Sequence, residues 1–164
     1  MTKKTALITG ISGQDGAYLA EFLLKKKYRV IGIERRSARS NNWRLEKLNI
    51  IDKVTIEDVD IKEINNLIRL FSKYMINEVY NLAAQSFVHS SFQNPIETSQ
   101  VNAIGTLNLL EIIRNQKNKI KFYQASTSEM FGKHGKNKQD EKTLFHPRSP
   151  YATSKTFAHY TVQN

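Results

Sequence analysis

The stretch TALITGISGQDGAYLAEFLLKKK, residues 5–27, constrains the fold more than any other part of the chain. Its first five residues are apolar and too few for a helix, so they read as a core strand. Gly10, Gly13 and Gly16 come next, and beyond them the apolar residues recur at helical spacing. The pattern is G-x-x-G-x-x-G, one residue longer at its first gap than the G-x-G-x-x-G dinucleotide fingerprint. The physics is the same in kind. Glycines permit a tight turn, let backbone approach a pyrophosphate and let helix and strand pack closely. The helix start then offers free N–H groups and a partial positive charge. The plainer alternative is a glycine-rich turn with no ligand.

The rest of the chain repeats this alternation of strand and helix. YRVIGIE, KVTIEDVDI, NEVYNLAA and KIKFYQAS read as four further strands. NNWRLEKLNI reads as loop and short helix, KEINNLIRLFSKY as a helix with Ile64, Leu67, Ile68 and Phe71 on one face, and a long helix comes after Pro95. A charged loop spans KHGKNKQDEKTLFHP, expected to be mobile, and another helix starts after Pro150. Short strands alternating with helices predict an α/β fold, a Rossmann-type doubly wound parallel sheet. No sixth strand is present, so the chain is expected to be truncated: residues 1–164 would form an incomplete cofactor-binding domain, without the last strands and a C-terminal substrate domain.

Composition narrows the class. With 164 residues, 40% of them apolar, the chain can bury a real core. It has no cysteine, which excludes disulfides and thiolate metal sites. It enters a core strand almost at once, with no signal-peptide pattern and no apolar run of membrane-spanning length, so a cytoplasmic protein with no membrane partner is expected. The net charge of +10 suits an anionic ligand, but the lysines are dispersed. Neither a basic stripe nor aromatic platforms for nucleic acid are present. The histidines, His89, His134, His146 and His159, have no metal-ligand spacing, and no metal is expected.

Glu34, at the end of the second strand, could hold the ribose hydroxyls of NAD, but Arg35 and Arg36 come at once after it and Arg39 is close. A guanidinium fork matches a phosphate, so NADP is the expected cofactor. A solvated basic loop is the alternative. Asp60, closing the third strand, is placed to accept from an adenine amino group or simply to make a turn. At the carboxyl end of the fifth strand stand Ser126, Thr127, Ser128 and Glu129. Tyr151 and Lys155, one turn apart on the next helix, can converge on them, the ammonium favouring the phenolate. Read singly, each has a mundane role: a Ser/Thr turn, a solvated Glu, a packed Tyr.

TGISGQDGAYLAEFLL, ERRS, YNLAAQSFV, FYQASTSEMFG and PRSPYATSK together resemble the extended short-chain dehydrogenase/reductases, and within them the 4,6-dehydratases of GDP-mannose. The resemblance implies a redox-neutral lyase. Tyr151 would take the proton of the hexose C4 hydroxyl as hydride passes to NADP, and Glu129 would remove the C5 proton. Water would leave C6, and the hydride would return there. Thr127 would bond the C4 oxygen, and Lys155 would hold the nicotinamide ribose and tune Tyr151. The resemblance further implies cofactor contacts at Gly10, Gly13, Gln14, Asp15, Gly16, Arg35, Arg36, Asp60, Ile61, Leu82, Ala83, Ala84, Ser86, Tyr151 and Lys155. Sugar-nucleotide contacts would come from Gln85, Ser86, Thr127, Ser128 and Glu129, and full-length relatives are expected to be dimers or tetramers, part of the cofactor site coming from a neighbour's arginine-rich loop.

Asn102 in SQVNAIGT stands where an acidic residue is expected, and FVHSSFQNP and TSKTFAHYTVQN also differ from the pattern. The fragment alone is expected to be inactive. Two alternatives stay open: another nucleotide-sugar epimerase, dehydratase or reductase of the same family, or a non-catalytic NADP-binding module.

Overall fold

The computed structural model describes residues 3–38, 40–133 and 138–164. Five strands form one parallel sheet: β1 (Thr5–Thr9), β2 (Arg29–Glu34), β3 (Thr55–Asp58), β4 (Glu78–Asn81) and β5 (Lys121–Gln124). Their order is β3-β2-β1-β4-β5. The chain winds outward from β1 to β3, then crosses back to β4 beside β1, which is the doubly wound Rossmann arrangement. Thr9 pairs with Ile33 on one side and Asn81 on the other, so three strand ends open at one level.

Alternation along the strands sorts the core into two layers. Ala6, Ile8 and Val30 pack with Ala17, Ala20 and Leu23 of α1 (Gln14–Lys25) and Leu45 of α2 (Trp43–Lys47). Leu7, Ile31, Ile33 and Val79 face the other way, against Leu67, Leu70 and Phe71 of α3 (Ile64–Lys73). Leu109 and Ile112 complete that second layer. The helical face expected on α3 is therefore rotated. Leu67 and Phe71 are buried, but Ile64 and Ile68 are exposed, and Leu70 takes the inward position.

The crossover to β5 begins with α4 (Val88–Gln93), a helix the sequence pattern did not signal, and continues through α5 (Pro95–Ser99). A π-helical turn at Gln100–Ile104 joins α5 to α6 (Gly105–Arg114). The last helix, α7 (Pro150–Gln163), packs on α5, the π turn and the end of β5. Its start is written locally: Ser149 Oγ accepts from the Ala152 N–H at 3.0 Å, and Pro150 fills the first helical position, where no N–H is needed.

Candidate functional site

Gly10 takes φ +68, a conformation few side chains tolerate, and a Cβ there would stand 3.1 Å from the backbone of Ala83. The turn it makes leads into α1, whose first N–H groups, at Gln14, Asp15 and Gly16, have no intrahelical acceptor, as at any helix start. The neighbouring loop after β4 is held by Thr9, whose Oγ1 accepts from the N–H groups of Leu82 (3.0 Å) and Ala83 (2.9 Å). Thr9 in turn donates to Asn81 Oδ1 at 2.7 Å, and Asn81 Nδ2 donates to Thr106 Oγ1 and Gln124 Oε1. This buried ladder fixes β1, β4, α6 and β5 relative to one another, and each polar group in it is satisfied.

Beside the turn lies an open cleft of about 1020 Å³ at the carboxyl ends of the strands, where α/β sheets bind ligands. Of the residues expected around a cofactor, Gly10, Gly13, Arg35, Arg36, Asp60, Ile61, Leu82, Ala83, Ala84, Gln85 and Ser86 line it. Gln14 and Asp15 are exposed at the start of α1, and Gly16 is buried beneath the turn. Arg39 and His134 lie outside the described residues. Asp60 makes a turn, its Oδ1 accepting from the Lys62 N–H at 3.0 Å. Sequence reasoning passed over Asn42, which also lines the cleft and whose buried Oδ1 has no partner among the described residues. An orphaned acceptor, a glycine cradle and two guanidiniums make a donor and acceptor set that fits a dinucleotide.

The second group lies at the end of β5, outside the lining of that cleft. Thr127 Oγ1 accepts from the Glu129 N–H at 3.2 Å and caps a 3-10 turn at Ser128–Phe131, leaving its own proton free to donate. Ser128 and Glu129 are exposed. Ser126 bonds His159 Nδ1 at 3.0 Å. Tyr151 and Lys155 are both buried on α7. The ammonium donates to the Ala125 carbonyl at 2.9 Å, its one hydrogen bond among the described residues, rather than to the phenol. Burial holds its pKa down at about 8.

Asn102 joins the two groups. From the π turn, its Oδ1 accepts from the Gln85 N–H at 2.9 Å, while Nδ2 donates to the Gln85 carbonyl and to Ser154 Oγ. It thereby ties the cleft loop to the helix of Tyr151 and Lys155. A carboxylate could not donate to that carbonyl, so the amide is the residue this geometry requires. The sequence showed Asn102 only as a departure from a pattern, since its partners are distant in the chain.

Among the described residues no helix is long and apolar enough to cross a membrane. A family model described as GDP-mannose 4,6 dehydratase matches residues 7–164. A GDP-mannose 4,6-dehydratase of Vibrio cholerae is 50% identical across the whole chain, which covers 46% of that relative. Among solved structures, the Thermus thermophilus UDP-glucose 4-epimerase in complex with NAD superposes with a TM-score of 0.83 at 30% identity, covering 97% of this chain and 50% of that one. The Bacillus anthracis dTDP-glucose 4,6-dehydratase in complex with NAD gives 0.81 at 25% identity, over 96% of this chain and 49% of that one. The chain thus spans about half the length of the relatives it matches.

Proposed function

The chain belongs to the GDP-mannose 4,6-dehydratase family, and from that premise we propose that the whole protein is a cytoplasmic hydro-lyase converting GDP-D-mannose to GDP-4-dehydro-6-deoxy-D-mannose. Glu129 carries this reading. It is an exposed carboxylate at the carboxyl end of β5, beside Thr127 and on the side of the sheet where α7 brings Tyr151 and Lys155. A base is what elimination across C5 and C6 demands, whereas epimerisation at C4 needs none there.

A nicotinamide dinucleotide, when bound, supplies a hydride acceptor that takes hydrogen from C4 and returns it at C6. Gly10, Gly13 and the start of α1 would hold its pyrophosphate, and the loop from Leu82 to Ser86 would pack along it. Arg35 and Arg36 support NADP as that dinucleotide, since both stand in the cleft where an adenosine phosphate would lie. Tyr151 would accept the C4 hydroxyl proton, with Lys155 one turn away on the same helix. Thr127, whose oxygen already accepts from Glu129 N, would donate its proton to the C4 oxygen. The new ketone acidifies the C5 proton, Glu129 takes it, and that proton leaves with the C6 hydroxyl as water. The proton that Tyr151 took would return to C5 as the hydride is returned to C6, which leaves Tyr151 as it began and the product short of one water. Ile104, Leu107, Phe157 and Tyr160, exposed on the helical layer, support assembly as a homo-oligomer, a dimer or tetramer.

The test is Glu129→Gln in the full-length protein. It should bind dinucleotide as the parent does and lose about 10²-fold or more of its water-eliminating rate with GDP-mannose, followed by mass spectrometry. Elimination at the parental rate would contradict the role given to Glu129.

A further inference from the structure

Among its described residues the cleft is more acidic than a site built only for a phosphate. Four carboxylates among the described residues line it, Glu34, Asp58, Asp60 and Glu97, and two guanidiniums, Arg35 and Arg36. One of the carboxylates comes from the far side of the switch point: Glu97, in the first turn of α5, reaches across to Arg35, just after β2. Arg35 Nη1 stands 3.8 Å from Glu97 Oε1. Both Glu97 oxygens also accept from Lys62 Nζ at 3.0 Å, and that ammonium is a further 3.8 Å from Asp60 Oδ2. Arg35, one of the two guanidiniums in the described lining, thus shares Glu97 with Lys62.

We propose that Glu97 sets how strongly the cleft prefers a 2′-phosphorylated dinucleotide over an unphosphorylated one, by competing with that phosphate for Arg35. The inference rests on the reading of this cleft as a nicotinamide-dinucleotide site. The Arg35 side chain is 75% exposed and that of Glu97 39% exposed, so their pairing is weak and a ligand can displace it. A phosphate must nonetheless take the guanidinium from Glu97 and then lie near its negative charge. A ribose hydroxyl meets neither penalty, and Glu34 and Asp58 are present as acceptors. Glu97 thus narrows the advantage that Arg35 and Arg36 give to NADP while leaving NAD unaffected. This also accounts for a cleft that carries a double arginine yet has a net acidic lining among the described residues.

The experiment measures dissociation constants of NADP+ and NAD+ by titration calorimetry on the full-length protein, on Glu97→Gln, on Arg35→Ala and on the double variant. Glu97→Gln should bind NADP+ about fivefold more tightly and NAD+ within about twofold of the parent. Without Arg35, the gain from Glu97→Gln should shrink. An unmoved ratio of the two constants in Glu97→Gln, or weaker NADP+ binding, would overturn the proposal. A gain undiminished by the loss of Arg35 would overturn its route through that residue. Failure of the parent to bind either dinucleotide would instead overturn the reading of the cleft on which the proposal rests.

Discussion

Lys155 carries an ammonium into a place where only 3% of the residue meets solvent, with one carbonyl oxygen, that of Ala125, as partner. Desolvation disfavours the charged form, and the pKa falls from the ordinary 10.5 to about 8. The unfolded chain therefore binds more protons than the folded one between pH 8 and 10.5, so stability must rise with pH across that window. Below pH 8 the burial cost is felt in full; above 10.5 it is gone. The difference in unfolding free energy between the protein and Lys155→Met, from denaturant titrations, should move in the parent's favour by roughly 3 kcal/mol over the window. A flat difference would show that the ammonium is not desolvated. Helical spacing alone could set Tyr151 and Lys155 on one face, but neither the burial of Lys155 nor its carbonyl partner was legible in the sequence.

At the scale of elements, the β1–turn–α1 unit divides its glycines between two tasks. A Cβ on Gly16 would meet the Gly10 carbonyl oxygen and stand 2.7 Å from Ile11 Cα, all backbone, so the turn itself would have to shift. A Cβ on Gly13 would meet only Gly10 O, at 3.2 Å, and would project where the cleft is lined. Gly16→Ala should therefore cost about 1–3 kcal/mol of stability, while Gly13→Ala should unfold within about 1 kcal/mol of the parent yet bind dinucleotide at least tenfold more weakly. Equal losses of stability in the two variants would refute the division. This unit was readable because strand, glycines and helix are contiguous. β1 and β2 were readable for a similar reason: buried along nearly their whole length, they appear as short apolar runs, whereas β3 and β5, at the sheet edges, are only partly buried. The α3 face was misplaced because Ile64 and Ile68 satisfy helical spacing as well as Leu70 does, and packing against the sheet and α6 decides which residues turn inward. The π turn at Gln100–Ile104 was invisible, since SQVNAIGT reads as uninterrupted helix, and yet it carries Asn102.

Across the whole molecule, the Rossmann sheet places the open cleft on one side of the end of β4 and the β5–α7 group on the other, with Asn102 joining Gln85 to Ser154 between them. The Thr9–Asn81–Thr106–Gln124 ladder holds the same region from below, and its partners lie so far apart in sequence that no local pattern announces them. Such a frame suits a reaction in which hydrogen leaves one carbon of a sugar and returns to another without net oxidation. The decisive experiment incubates GDP-mannose deuterated at C4 with the full-length protein and examines the product by mass spectrometry. The expected product has lost one water and keeps its deuterium, now at C6, with no net reduction of dinucleotide. Product lacking the deuterium, or deuterated substrate returned with all its oxygen, would contradict internal hydride return.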